Sequence, residues 1–372
     1  MKCTICRNII TQDQKTKEHI IPNAIGGRKK IEGFICKNCN SETGRTWDAE
    51  LTKQLNALCL ICNISRERGS SPPISVETTA GDTVRYHAGG IVKKDRPYVF
   101  EEVDGQQVSL SIQARDESEL KKILRQKKKK FPTLNIEEAL SMLETESSFP
   151  QGMYKFSLNF GNELSMKAIV KSLLAVVFDA GVSVDNCDVA IQFLDQGGNI
   201  PVGYYYETDL IHNRRAGAPI HCVFVKGDKN AGNIVGYIEL FGAYRMVSLL
   251  SSNYVGEDFS HSYAIDPISG KQETVQVNFT LDLEEILESY DYKKIPEGSM
   301  QEVFEQVIAY AQSRNYKLER EKVLLQAIDK GFRACGIDEG ETPTEEQLKI
   351  ISGIVFDELS PLLKHQISKA SE

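Results

Sequence analysis

The sequence predicts an α+β protein with three parts, and three patterns along the chain support this prediction. Two C-x2-C cysteine pairs stand at the start of the chain. Between residues 75 and 280, short alternating apolar runs bounded by glycines are typical of antiparallel strands. From residue 281 the apolar residues recur with helical spacing. We therefore expect a cysteine-bearing N-terminal domain, an antiparallel-sheet α+β region and a helical C-terminal region.

The four N-terminal cysteines predict a structural zinc site. Cysteines two residues apart form a tight knuckle, and two knuckles can bind one tetrahedral ion through Cys3, Cys6, Cys36 and Cys39. The metal would then fold a segment that is too small to fold alone. Nine cysteines without an N-terminal apolar signal segment also indicate a reducing cytoplasm, where thiolates bind zinc and do not form disulfides.

Side chains suited to hydrolysis lie between and just after the cysteine pairs. Glu18 places a carboxylate beside the imidazole of His19, and Asn40 directly follows the last cysteine. A carboxylate and an amide are suitable ligands for a divalent ion, and a neutral imidazole can take a proton from water near neutral pH. The segment therefore combines a structural metal site with a candidate catalytic site.

Residues 1–62 resemble an HNH endonuclease domain, the ββα-metal type, in its four-cysteine version. The sequence pieces that carry the resemblance are CTIC, EHIIPNAIGG and CKNCN. The resemblance implies a hairpin whose first strand ends at His19, a return strand at residues 34–35, and a helix from about Asn40 through Leu58. Residues 63–74, rich in Ser, Arg, Gly and Pro, are expected to be a linker.

The resemblance also implies a role for each residue. His19 matches the general base, Glu18 the first ligand of a catalytic Mg²⁺ or Mn²⁺, and Asn40 the last position of that metal site. Asp48, in the following helix, is a further candidate ligand. The expected reaction is hydrolysis of a DNA phosphodiester bond that leaves a 5′-phosphate and a 3′-hydroxyl.

Two positions depart from the family pattern. Glu18 stands where the best-known members have Asp, which is one methylene shorter. The middle Asn of the family name, which fixes the histidine loop, should fall just before Cys36, but residues 31–35 contain none. Either another group holds His19 or the loop is looser.

Charge is unevenly distributed along the chain. Residues 1–68 carry net +5, so the remainder carries −13 of the total −8. Basic side chains near the site are suited to phosphate contacts that do not read sequence, although a solvated surface explains any single one equally well. These candidates are Arg28, Lys29, Lys30, Lys37, Arg45 and Lys53. A second basic run ends a predicted helix at residues 117–130.

Further segments are predicted along the chain. Strands are expected at residues 74–78, 83–87, 97–103 and 108–114, with an Asp104-Gly105 turn, and then at 154–160, 188–194, 202–208, 220–226, 234–241 and 246–250. An apolar helix is expected at residues 164–180. Tail helices are expected at 299–311, at 318–332 and after a capping box in which Thr342 precedes Pro343.

Two other features have simpler interpretations. The third pair, Cys59 and Cys62, lies among leucines on a continuing helix and is expected to be buried, not metal-bound. The longest apolar stretch, about residues 168–177, is interrupted by Lys171 and is too short to cross a membrane.

The sequence thus predicts a metal-dependent endonuclease that acts on DNA, with double-stranded DNA as the expected substrate. Residues 75–280 and 281–372 would select substrate, sense a regulatory ligand or partner protein, or form a homodimer. A role in defence against foreign DNA fits free-standing nucleases of this family. Two alternatives stay open: a non-catalytic zinc ribbon that binds nucleic acid or a partner protein, and an RNA-directed nuclease.

Overall fold

The computed structural model describes residues 1–104, 107–144, 152–338 and 340–370. The strands in these residues are β1 (Lys17–His19), β2 (Lys30–Glu32), β3 (Ile74–Thr78), β4 (Thr83–Tyr86), β5 (Val92–Lys94), β6 (Tyr98–Asp104), β7 (Gln107–Gln113), β8 (Tyr154–Lys155), β9 (Val202–Tyr204), β10 (His221–Asp228), β11 (Asn233–Leu240), β12 (Tyr244–Ser251), β13 (Phe259–Ile265) and β14 (Gln272–Glu273).

The α-helices in the same residues are α1 (Lys37–Arg45), α2 (Trp47–Gln54), α3 (Asn56–Ile61), α4 (Glu117–Lys130), α5 (Ile136–Ser141), α6 (Glu163–Asp179), α7 (Asp188–Gln196), α8 (Leu283–Tyr290), α9 (Ser299–Ala334) and α10 (Glu345–Ala370). Helices and strands are both abundant, and the α+β class is confirmed. Among the described residues, no helix combines the length and the apolar composition needed to cross a membrane.

The chain divides into two compact units. The first contains Met1–Pro72, Ala88–Gly90 and Ser157–Gln312, and the second contains Pro73–His87, Ile91–Phe156 and Ser313–Glu372. This division describes packing. The boundaries at residues 62, 74 and 280 concern the role of each segment and stay a prediction.

A six-stranded antiparallel sheet forms the centre of the first unit, in the order β14-β13-β10-β11-β12-β9. One face carries a buried apolar cluster that includes Phe224, Tyr237 and Ile286 of α8. Helix α6 packs against the other face, on β10, β11 and β13. An added Cβ at Gly236 of β11 would lie 2.7 Å from Leu173 of α6, so the two backbones approach closely there. Both faces are covered, which explains why these strands read as nearly continuous apolar runs.

Helix α6 also contacts α2, so it lies between the sheet and the N-terminal domain. The helix begins with a capping box in which the side chain of Asn162 accepts from the backbone of Ser165. Gly181, at φ +79°, ends it as predicted. Most residues from Ser165 to Val177 are buried because both sides of the helix have a partner. The prediction of an interior apolar helix is confirmed.

The second unit contains a four-stranded antiparallel sheet in the order β5-β4-β3-β8 and a separate hairpin of β6 and β7. Tyr86 packs edge-on against Tyr154 and Phe156, with ring centroids 5.4 and 5.1 Å apart. The predicted strands and α4 are present there. Gly105 of the predicted turn lies outside the described residues. At the end of α4, Lys127 and Lys130 both pair with Glu101, which neutralises part of the basic run.

Several elements differ from the sequence-based prediction. Residues 188–194 belong to helix α7 and not to a strand, because Ala190, Phe193 and Leu194 are buried at helical spacing. Strand β8 ends at Lys155 and β9 at Tyr204, earlier than predicted, and β13 was not predicted.

The tail helices also differ. The two predicted helices between residues 299 and 332 form the single helix α9. Helix α10 begins at Glu345, two residues later than predicted, and Thr344 caps its N-terminus. The backbone N–H of Gln347 donates to Thr344 Oγ1 (3.3 Å), and the backbone N–H of Thr344 donates to Gln347 Oε1 (2.9 Å). The capping box therefore uses Thr344 and Gln347, and not Thr342.

Candidate metal centre and catalytic site

The four predicted cysteine ligands converge. The Sγ atoms of Cys3, Cys6, Cys36 and Cys39 all lie within 4.8 Å of one another. The Sγ atoms of Cys6 and Cys36 are 3.8 Å apart. Four sulfurs at tetrahedral Zn–S distances of about 2.3 Å would be separated by about 3.8 Å, so the geometry fits a structural zinc ion.

Local backbone structure shapes each knuckle. In the first, the backbone N–H of Cys3 donates to Asn8 O (2.8 Å), and Arg7 adopts φ +60° to turn the chain. In the second, Cys36 directly precedes α1, and Cys39 lies in the first helical turn. Thr4 joins the knuckles because its backbone N–H and its hydroxyl both donate to Phe34 O, at 3.0 and 2.9 Å.

The third cysteine pair is buried, as predicted. Cys59 and Cys62 are both fully buried, and burial raises the pKa of the Cys59 thiol to about 12. Within the described residues, the four-cysteine group is the one close cluster of three or more Cys, His, Asp or Glu ligand atoms.

The hairpin that carries Glu18 and His19 is short. Strands β1 and β2 pair antiparallel, with Glu18 opposite Ile31 and His19 opposite Lys30. The return strand is therefore Lys30–Glu32, and its predicted position at residues 34–35 was wrong. Gly33, at φ +85°, ends the strand, and Phe34 then leaves the sheet to meet the first knuckle.

The loop after His19 is held by an asparagine, but not by the one that the family pattern suggests. Asn23 Nδ2 donates to Gly27 O (3.0 Å), and Asn23 Oδ1 accepts from the backbone N–H of Glu67 (2.9 Å). A Cβ at Gly27 would lie 1.8 Å from Ile21 O, so this position requires glycine. Asn23 therefore bridges the loop after His19 to the chain at Glu67.

The predicted single helix is divided into α1, α2 and α3, and it begins at Lys37, three residues earlier than expected. The hydroxyl of Thr46 donates to Glu42 O (2.7 Å) at the first break. Such side-chain bonds compete with the helical hydrogen bonds. The break falls just before Asp48, which lies in the first turn of α2.

The carboxylates of Glu18 and Asp48 meet at a buried lysine. Lys171 Nζ lies 2.5 Å from Glu18 Oε1 and 2.7 Å from Asp48 Oδ2. It also lies 3.5 Å from Thr43 Oγ1. The side chains of Lys171 and Glu18 are only 1% and 7% exposed. Two carboxylates and one ammonium therefore share a site that is largely screened from water.

The pKa directions follow from this arrangement. Burial raises the pKa of Glu18, although Lys171 opposes the shift. Burial alone would lower the pKa of Lys171, but the carboxylates of Asp48 and Glu18 outweigh it and raise that pKa. A low dielectric disfavours the surplus negative charge, so both groups retain protons more strongly than in water.

The imidazole of His19 is partly buried. Burial lowers its pKa, and nearby Lys30 lowers it further, whereas Glu67 opposes the shift. Its Nε2 atom is buried and has no hydrogen-bond partner among the described residues. The nearest acidic atom, Glu67 Oε1, is 3.6 Å away. A neutral imidazole with an unpaired nitrogen can accept a proton from water.

Two other polar atoms test whether a divalent ion fits near His19. Asp48 Oδ1 is buried and has no hydrogen-bond partner in the described part of the chain. Such a buried oxygen is costly unless a donor or a cation satisfies it. Asn40 uses Nδ2 to donate to Thr16 Oγ1 and Lys17 O, both at 3.2 Å, so its hairpin contacts do not use Oδ1. Oxygen donors of this kind are the ligands that Mg²⁺ and Mn²⁺ prefer.

Most of the predicted phosphate-binding side chains have partners within the chain. Ion pairs join Lys29 to Asp179 (2.5 Å), Lys30 to Glu67 (3.0 Å), Arg45 to Glu42 (2.7 Å) and Lys53 to Glu50 (3.8 Å), and Arg28 donates to Ser65 O (2.8 Å). Among the described residues, Lys37 makes neither an ion pair nor a hydrogen bond, and it is exposed. Lys37 is therefore the most available of the six.

Sequence reasoning did not assign roles to Lys171 and Glu67. Lys171 had a detectable signal, since it is the single charged residue within the apolar stretch at 168–177. A lysine inside such a helix requires a carboxylate partner. No sequence pattern indicated Glu67, because it lies in the predicted linker and its carboxylate comes close to His19 and Lys30 only in the folded chain.

Comparison with known proteins agrees with the N-terminal geometry. Residues 3–56 match the family model for HNH endonucleases. Neither the search of curated proteins nor that of solved structures found a match to the chain. The N-terminal segment is therefore an HNH endonuclease domain with a four-cysteine cluster, and the match covers 54 of the 372 residues.

Proposed function

We propose that this protein is a metal-dependent endonuclease that hydrolyses DNA phosphodiester bonds with His19 as general base. The observation that carries the proposal is the state of His19. Inside an HNH domain, its imidazole is partly buried, its pKa is lowered and Nε2 has no hydrogen-bond partner in the described residues. An imidazole in this state is neutral at physiological pH and can take a proton from an attacking water.

The other residues have supporting roles in the proposed reaction. Glu18 and Asn40, with Asp48 beside them, would hold Mg²⁺ or Mn²⁺. Such an ion, when bound, stabilises negative charge on the phosphate and on the departing 3′ oxygen. Asn40 also joins α1 to the hairpin, because its side-chain amide donates to Thr16 and Lys17. General base catalysis of this kind contributes about 10² to 10⁴-fold to the rate.

The substrate assignment has its own support. HNH domains imply a nucleic-acid substrate, and we propose double-stranded DNA in the cytoplasm. One such site cuts one strand, so cleavage of both strands would require two copies, for example in a homodimer. Residues 75–372 would select substrate or bind a regulatory ligand or partner protein. A role in defence against foreign DNA is part of this proposal.

A plasmid-nicking assay tests the proposal. Purified protein is incubated with supercoiled plasmid and Mg²⁺ or Mn²⁺, beside an EDTA control and the variants His19→Ala and His212→Ala. His212 is exposed and lies outside the site, so it controls for loss of a histidine. We expect nicking by the wild type and by His212→Ala, and a loss of about 10² to 10⁴-fold for His19→Ala. Nicking that survives His19→Ala would refute the base assignment.

One observation favours a second candidate, a non-catalytic adaptor that binds nucleic acid or protein. Lys171 already neutralises part of the acidic site, as it would if the carboxylates had only a structural role. No nicking of duplex DNA, single-stranded DNA or RNA with any divalent ion would favour the adaptor. Cleavage of RNA alone would identify an RNA-directed nuclease.

A further inference from the structure

The acidic side chains of the candidate catalytic site are bound by a residue from outside the HNH domain. Lys171 lies 153 residues after Glu18 and 123 after Asp48 along the chain, yet its ammonium contacts both carboxylates. It lies beyond the segment, residues 3–56, that matches the family. The contact is therefore a feature of this chain and does not follow from the matched domain.

Helix α6, which carries Lys171, is tied to the N-terminal domain along its length. At its start, Asn162 Nδ2 donates to Glu50 Oε1 (2.8 Å). At its end, Asp179 pairs with Lys29 (2.5 Å). Between these contacts, Lys171 is one of the largest fully buried side chains of the protein. The position of its ammonium is consequently set by the packing of the whole helix.

A buried lysine at this position is not required for packing alone. Between Ala168 and Val177 all residues of α6 except Lys171 and Ser172 are apolar, and an apolar side chain would avoid the cost of moving a charge out of water. Two carboxylates facing one ammonium leave a surplus negative charge. They also leave Asp48 Oδ1 buried with no hydrogen-bond donor in the described residues. Lys171 therefore satisfies one oxygen of Asp48 and leaves the other available.

We propose that Lys171 is a positioning residue of the nuclease: its ammonium holds Glu18 and Asp48 together and leaves Oδ1 of Asp48 free, so that this oxygen would be available to hold the divalent ion. This proposal rests on the proposed function. Lys171 is almost fully buried, so it acts through the carboxylates and does not touch the substrate. Without it, the two carboxylates would repel each other and would be free to chelate a cation in another arrangement.

Nicking activity and metal binding together test the proposal. In full-length, zinc-loaded protein we expect Lys171→Met to lower nicking about 10 to 100-fold, the range typical of residues that orient metal ligands. Mn²⁺ binding, measured from the spectrum of free Mn²⁺ in electron paramagnetic resonance, should become tighter, because a positive charge beside the ligands has been removed. Activity and affinity would then change in opposite directions.

A control variant and a double variant accompany this test. Lys167→Met removes a lysine one turn earlier on the same helix, where it pairs with Glu163 of α6 (2.8 Å), and should leave both readouts unchanged. If Lys171→Met fails to fold, the double variant Lys171→Met with Glu18→Gln is used, because it also removes one of the two carboxylates that would repel each other. We expect this double variant to fold and to nick at least about 10-fold more slowly than Glu18→Gln alone.

Each outcome decides for or against the proposal. Wild-type nicking by Lys171→Met overturns it, and so does nicking by the double variant at the rate of Glu18→Gln alone. Parallel loss of nicking, Mn²⁺ binding and thermal stability overturns it as well, because it would indicate a structural role only. If the wild type nicks no substrate, the proposed function fails separately. In that case the Mn²⁺ titration alone decides, and binding by Lys171→Met that is unchanged, weaker or absent overturns the positioning role.

Discussion

The cysteine cluster and the acidic site of Glu18 and Asp48 are assembled in different ways. The cysteine cluster is assembled from two short segments, each shaped by its own knuckle, and joined by Thr4 and Phe34. The acidic site requires helix α6, because Lys171 joins Glu18 to Asp48 from more than a hundred residues away. Local sequence is therefore sufficient for the first region, whereas the second depends on the tertiary structure of the whole unit.

Loss of one cysteine of the cluster should have the strongest effect on the protein. Cys39→Ser removes one of four zinc ligands, and structural zinc in small domains contributes about 10–16 kcal/mol of binding free energy. We expect loss of bound zinc and unfolding of the N-terminal domain. Elemental analysis and circular dichroism measure both results. Cys62→Ala, which changes a buried cysteine outside the cluster, should retain its zinc. Stoichiometric zinc in Cys39→Ser would contradict the assignment of the cluster.

A second prediction concerns the loop that follows His19. Gly27→Ala places a Cβ 1.8 Å from Ile21 O, so the backbone must move, at a cost of about 1–3 kcal/mol or more. Gly44 is the matched control, since it lies within α1 and an added Cβ there meets nothing within 4 Å. Gly44→Ala should stabilise the protein by about 0.4–1 kcal/mol. Chemical denaturation measures both changes, and equal effects in the two variants would contradict the loop geometry.

The pH dependence of nicking tests the environment of His19. The pKa of His19 lies below its ordinary value of 6.5, mainly because of burial. The base is active when neutral, so activity should be lost as pH falls through that lowered pKa and should be constant above it. Glu67 raises the pKa of His19, so Glu67→Gln should shift the inflection to lower pH. A shift to higher pH would show that Glu67 does not act on His19 in this way.

A modest effect on DNA affinity is expected when Lys37 is replaced. Lys37 is exposed and has no ion pair or hydrogen bond within the described residues, whereas Lys53 lies near Glu50 (3.8 Å). Lys37→Ala should weaken binding without changing sequence preference and should lower the slope of log K against log salt by about 1. Lys53→Ala should have a smaller effect. Binding titrations at several salt concentrations measure the slope, and an unchanged slope in Lys37→Ala would exclude a phosphate contact.

Local patterns predicted much of the fold. The helix Glu117–Lys130 and the apolar helix α6 were predicted to within about one residue, because long periodic segments fold according to their own spacing. Residues 188–194 were predicted as a strand but form α7. A run of seven residues fits either period, and contacts with β12 and α6 decided the outcome.

The candidate site was also predicted in part. The cysteine cluster and the placement of His19 on the hairpin follow from the sequence. The bridging role of Asn23 and the contact of Glu67 with His19 do not, because both depend on a loop and a linker that fold back on the hairpin.

The fold class, the clustering of four cysteines that fit a zinc ion and the HNH character of residues 3–56 can be read from sequence patterns, because they depend on short motifs of the N-terminal segment and on the spacing of apolar residues. The groups that surround Glu18 and Asp48, by contrast, depend on how the whole first unit packs. The partner of these carboxylates lies on a helix whose position is set by the central sheet, and no local spacing encodes a contact between segments so far apart.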